Sequence, residues 1–195
     1  TDQRDAPVVF YTPKVDPQAV LEIFKAVGLP VQGKVGLKVV FGNNRDRAKM
    51  IDPDLLKPIA DELRATLIES NYMDSARSDA TTHLSTAKEL GYDRVAPIDI
   101  LDADREIVIP VRNGYHLKEF ITGSHLANYD TLVSIVRFKG HNLQRYGGSM
   151  KNLSICLGTA RGACQYTVPA KSLTTIVRLL RKRLLSLWRM PPVRP

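Results

Sequence analysis

The sequence predicts an α/β fold, a mostly parallel sheet with flanking helices, an added antiparallel hairpin and a C-terminal basic amphipathic helix. Three observations carry this reading. Short apolar runs rich in valine and isoleucine alternate with segments of helical spacing, the pattern of a parallel sheet with helical crossovers. The helix-start pair Asp-Pro occurs twice, at Asp16-Pro17 and Asp52-Pro53, where an N-cap oxygen precedes a residue whose φ already suits the first turn. One segment departs from the alternation. In EIVIPV-RNG-YHLKEFI (106–121) both arms have period two around Asn113-Gly114, a strong hairpin turn signal.

Each element follows from its local chemistry. QAVLEIFKAV has helical spacing after Pro17 and is closed by Gly28. GKVGLKVVFG (33–42) is a valine-rich strand. LLKPIADELRATLIES continues a second helix to about Ser70, which leaves Tyr72-Met73 as a brief strand. Ser78 caps DATTHLSTAKEL, ended by Gly91, and VAPIDIL (95–101) is the next strand. After the hairpin, SHLANY forms a short polar helix that leads to the strand TLVSIVRF (131–138). Residues 1–170 thus form one α/β domain, and 171–195 a basic helix and tail.

The charge is unevenly placed. Through residue 130 there are 16 Lys+Arg against 20 Asp+Glu, and from 131 onward 12 Lys+Arg with no acid. The formal net charge of +8 therefore belongs to the last third of the chain, which points to an anionic partner. Two cysteines, Cys156 and Cys164, make no disulfide framework, so a reducing, cytoplasmic compartment is expected. No apolar run reaches the length of a membrane span. No nucleic-acid motif occurs, and aromatic residues are few at 7%, which argues against stacking platforms for single strands.

The polar loops then fall into place. GNNRDR, DSAR, DADR and KGHNLQRYGG each follow a strand, and open α/β sheets bind ligands beyond the carboxyl ends of their strands. Asn43, Asn44, Arg45, Asp74, Arg77, Asp102, Lys139 and His141 are expected to meet on that rim. The segment 137–152 holds five basic side chains, counting His141, with three glycines and no acid. Lys139 and His141 suit phosphate or carboxylate, with Gly140 allowing close backbone approach. Gly147-Gly148 before Lys151-Asn152 offers backbone N–H donors to an anion. Lys38, inside a valine-rich strand, either snorkels from an edge or turns its amine toward the rim near an acid.

These segments resemble, in order, the family known as domain of unknown function 362. The matching stretches are LKVVFGN (37–43), MDSARSDATTHLSTAKELGY (73–92), APIDILDAD (96–104), NGYHLKEF (113–120) and RFKGHNLQRYGGSMKNLSICLGTARGA (137–163). The resemblance places Lys38, Asp74, His83, Asp102, Lys139, Gly140, His141, Gly147, Gly148, Lys151 and Asn152 at the family's motif positions. Family members typically continue into paired cysteine segments for iron–sulfur clusters and a second α/β stretch. This chain resembles the front half, and with two cysteines it falls short of the four thiolates of one cubane, so no cluster is expected in it. The usual lysine near Ala163-Cys164 is replaced, and Tyr166 stands where a histidine is common.

Other candidates have a plainer reading. His83 sits beside Ala80, Leu84 and Ala87 on its helix and reads as a semi-buried structural residue. A metal held by His83 and His141 with Asp74 and Asp102 is the alternative, since imidazole with carboxylate suits zinc, iron or nickel. Cys156 follows the apolar LSI and is expected to be buried and inert. Along 174–190, Ile176, Leu180, Leu184, Leu187 and Trp188 share one face, opposite Arg178, Arg181, Lys182 and Arg189. That face is expected to dock on its own domain, a second copy or a partner subunit rather than on an anionic membrane. Three functions remain: a domain, enzymatic or not, binding an anionic ligand or metal; a regulatory domain acting through a partner; and a peripheral binder of membrane or nucleic acid.

Overall fold

The computed structural model describes residues 8–42, 50–73, 76–115, 117–141 and 145–167. Four strands form a parallel sheet: β1 (Val35–Lys38), β2 (Thr66–Glu69), β3 (Ile98–Ile100) and β6 (Thr131–Ser134), in the order β3-β2-β1-β6. Helix α1 (Pro17–Val27) precedes the sheet, and α2 (Pro53–Leu63) and α3 (Ala80–Glu89) make the crossovers β1-α2-β2 and β2-α3-β3. All four strands therefore end at one edge. The helix expected over 174–190 lies outside the described residues.

The caps follow from the residues present. Asp16 accepts from the Ala19 N–H at 2.8 Å, and Gly28 closes α1 in the left-handed region at φ 64°. Asp52 accepts from the Asp54 N–H at 3.0 Å at the start of α2. At α3 the cap is Asp79 rather than Ser78: its carboxylate accepts from the Thr82 N–H at 2.9 Å.

The second helix does not run to Ser70. It stops at Leu63, where Arg64 takes a left-handed conformation, φ 47°. Thr66–Glu69 then forms β2, and Tyr72-Met73 lies beyond the strand. The β-branched Thr66 and Ile68 favour extended backbone. Pairing in parallel with both β1 and β3 satisfies the main chain on each side.

Both faces of the sheet are covered. Val35, Leu37, Val39 and Phe41 pack with Leu67 under Leu21, Leu56, Ile59, Leu90 and Tyr92. Leu56 and Leu67 are fully enclosed, worth about 1.5–3 kcal/mol each. On the other face Ile68, Leu101, Leu126, Tyr129 and Leu157 form a smaller cluster. Gly36 permits that cluster to close, because a Cβ there would lie 2.6 Å from Ile68 Cδ1.

Between β3 and β6, strands β4 (Glu106–Pro110) and β5 (Glu119–Gly123) pair antiparallel. Their connection, 111–118, is longer than a two-residue turn, with the Val111 N–H donating to the Lys118 carbonyl at 2.8 Å. Beyond β6, the basic glycine-rich stretch is itself a small hairpin, β7 (Lys139–His141) on β8 (Arg145–Gly147). It leads into α4 (Ser149–Asn152), a 3₁₀ turn at Ile155–Leu157 and α5 (Ala160–Thr167). The Leu157 carbonyl accepts from Thr122 Oγ1 at 2.6 Å and Ser70 Oγ at 3.2 Å, which pins this segment to β5 and the end of β2.

Candidate functional site

Beyond the carboxyl ends of β1, β2 and β6 lies a cleft of about 200 Å³. The segments leaving β1, β2 and β6 contribute Val40, Tyr72, Val136 and Arg137, and Arg77 enters from the turn before α3. The opposite wall is the β7–β8 hairpin and the segment after it, with Lys139, His141, Gly147, Gly148, Lys151, Asn152 and Cys156. Among the described lining residues four are cationic and none is Asp or Glu. Burial, followed by the charges of Lys151 and Lys139, pushes the His141 pKa down, so the imidazole is biased to its neutral form.

Beneath this wall is a buried polar network. Lys38, wholly enclosed, donates to the Val39 carbonyl at 2.9 Å and to Asn152 Oδ1 at 3.0 Å. The Asn152 amide returns two hydrogen bonds, to the Lys38 carbonyl and to Ser134 Oγ, both at 3.0 Å. Asn152 thereby ties α4 to β1 and β6, and its polar atoms are committed to that task. Glu69, 1% exposed, accepts from the Phe41 N–H at 2.7 Å and from Arg77 at 3.2 Å, and lies 3.2 Å from His83 Nε2. Burial alone would raise the Glu69 pKa, but Lys38, the His83 hydrogen bond and Arg77 outweigh it and hold the carboxyl at about 2. Burial draws Lys38 down in turn, against the opposing pull of Glu69.

The expected site residues divide into four groups. Lys139, His141, Gly147, Gly148, Lys151 and Asn152 reach the cleft wall. Lys38 and Asp102 do not line it: of the two orientations open to Lys38, the structure has the amine enclosed rather than snorkelling from an edge. Asp102 accepts from the Asn71 N–H at 2.8 Å, and burial raises its pKa. Gly140 is exposed on β7, away from the lining, with open space around it. Asn43 and Asp74 lie outside the described residues.

His83 does not join His141 on the wall. It is fully buried in α3, with Nδ1 3.2 Å from Asn71 Oδ1 and Nε2 facing Glu69. Among the described residues no group of three or more His, Cys, Asp or Glu is placed to hold a metal ion. Cys156 is not buried as expected: it is half-exposed on the cleft wall, 3.6 Å from Lys151 Nζ.

Sequence reasoning missed Glu69, Tyr72, Arg137 and Cys156. Glu69 was hidden by its assignment to a helix. The signal available was an acid at the end of an apolar TLI run, one strand over from the equally improbable Lys38.

The fold is that of an α/β domain with an open parallel sheet, and the cationic cleft lies at the sheet's carboxyl edge. The family model described as Domain of unknown function (DUF362) matches residues 35–190, and the chain belongs to that family. No curated protein and no solved structure matches it. No helix among the described residues is long and apolar enough to cross a membrane.

Proposed function

We propose that this protein binds a small, multiply charged anion, with phosphate or carboxylate groups, in the cleft between the sheet edge and the β7–β8 hairpin. One observation carries the reading: Arg77, Arg137, Lys139 and Lys151 line a single space with no carboxylate among its described lining residues. Glu69 shares the charge of Arg77 from behind, and the summed positive field at the opening favours an anion that replaces the water these side chains lose. Arginine and lysine together supply forked and point-charge donors to oxyanions. The same field disfavours a metal cation, so the anion is preferred over the metal as ligand. Within this reading the partner is a small molecule, and neither nucleic acid nor a membrane is required.

Cys156 provides a local reporter. In a Cys164→Ser background, iodoacetamide has one thiol to modify. Millimolar pyrophosphate is expected to slow alkylation of Cys156 in a saturable manner, with equimolar chloride charge as control. An alkylation rate indifferent to pyrophosphate, phosphate and citrate would contradict the reading.

A further inference from the structure

Of the basic side chains that line the cleft, the imidazole of His141 is the type that changes charge near neutral pH. The hairpin register sets its surroundings. Lys139 and His141 stand two positions apart on β7, so both side chains take the face turned to the cleft. The ring lies beside Gly147, another lining residue, where a Cβ would be 3.9 Å from His141 Cδ2. Arg145 is the partner of His141 across the hairpin, on that same face. Lys151 approaches from α4, and Arg77 and Arg137 stand on the opposite wall. The other titratable groups of the described lining are Tyr72 and Cys156, and no carboxylate is among them.

A proton on His141 is therefore opposed by burial and then by the charges of Lys151 and Lys139. An oxyanion held between these side chains reverses the balance. It offsets the lysine charges, and it accepts a charge-assisted hydrogen bond that only the protonated ring donates at full strength.

We propose that anion binding in this cleft is coupled to protonation of His141, so that the imidazolium becomes a further donor to the bound oxyanion and affinity rises as pH falls. The proton comes from solvent and returns to it when the anion leaves. The inference rests on the anion-binding reading above and adds its regulation by pH. The sign follows from linkage. Below the pKa of the free protein, which lies under 6.5, His141 is charged with or without the anion, and affinity does not depend on its titration. Above that point binding takes up a proton and weakens as pH rises, until the pKa of the complex is passed.

Sulfate is the probe, since it stays a dianion throughout this range and brings no titration of its own. Calorimetry at fixed ionic strength, in two buffers of different ionisation enthalpy, counts the protons taken up on binding. We expect net uptake near neutral pH, and sulfate affinity about tenfold weaker at the alkaline end of a series from pH 5.5 to 8.5, the scale of one charge-assisted hydrogen bond. In His141→Gln both the uptake and the pH dependence should be lost. The imidazole resonance of His141, identified as the one missing from that variant's spectrum, should titrate at higher pH when sulfate is added. Sulfate binding without proton uptake, a pH dependence retained in His141→Gln, or a His141 titration that sulfate does not move would each overturn the coupling while leaving the anion cleft standing. Failure of both sulfate and pyrophosphate to bind at any pH in the series would remove both readings together.

Discussion

Glu69 is the residue on which the site's foundation turns. A buried carboxylate is costly unless neighbours compensate it. Here Lys38, Arg77, His83 and the Phe41 N–H surround it. Glu69→Gln keeps the shape and removes the charge, leaving Lys38 buried without its compensation. We expect a loss of about 3–5 kcal/mol in urea unfolding, the usual cost of breaking a buried pair from one side. The pH dependence follows. The folded pKa lies at about 2, below the ordinary 4.5, so Glu69's contribution is present above pH 4.5 and is lost as pH falls through about 2. The acid limb of the wild-type stability curve over that window should flatten in Glu69→Gln. A variant with unchanged urea stability and an unchanged acid limb would show that the carboxylate is not compensated as described.

At the scale of elements, β3 is tied to the turn after β5 by His125. Its Nδ1 lies 2.7 Å from Asp99 Oδ1 on β3, and its Nε2 lies 2.7 Å from Asp104 Oδ2. Tyr129 donates to the other Asp99 oxygen at 2.6 Å. The hydrogen bonds to Asp99 and then Asp104 raise the His125 pKa above 6.5. The contribution of the charged ring is therefore complete below pH 6.5 and declines as pH rises through the elevated folded value. Thermal melts from pH 6 to 9 should show this decline in the wild type and lose it in His125→Asn. An identical decline in both proteins would count against the clamp.

The elements also show where the sequence was legible. The Asp-Pro starts and the Gly28 stop depend on local chemistry, and α1 and α2 begin and α1 ends where that chemistry places them. The hairpin exists, but its second arm is Glu119–Gly123, beyond the expected Asn113-Gly114 turn, because the pairing of Pro110 with Glu119 sets the register. β2 was not legible. Its helix stop is an arginine in a left-handed conformation, where glycine would have been a readable signal, and its strand character comes from pairing with β1 and β3. Local preference was overridden by partners distant in sequence. The hairpin β7–β8 is hidden in the sequence for a related reason: with Gly140 and Gly147 and only three residues per strand, it carries little strand propensity of its own.

Across the whole molecule, the charge asymmetry becomes a local field. Arg137, Lys139 and Lys151 come from the acid-free segment after residue 130, and the fold adds Arg77 from the first half. Of the expected rim, Arg77, Lys139 and His141 line the cleft, each in a polar stretch that follows a strand. The floor was not, because Lys38 and Asn152 are 114 positions apart, and their pairing exists only once β1 and α4 are packed. The central claim is that this cleft is an anion site, and calorimetric titration with pyrophosphate at low and high salt tests it most directly. The account predicts binding that weakens as salt screens the cleft, and that falls about tenfold or more in Lys151→Gln, as expected for a lost charge-assisted hydrogen bond. No measurable heat of binding at low salt, or an affinity unchanged by both salt and Lys151→Gln, would contradict it.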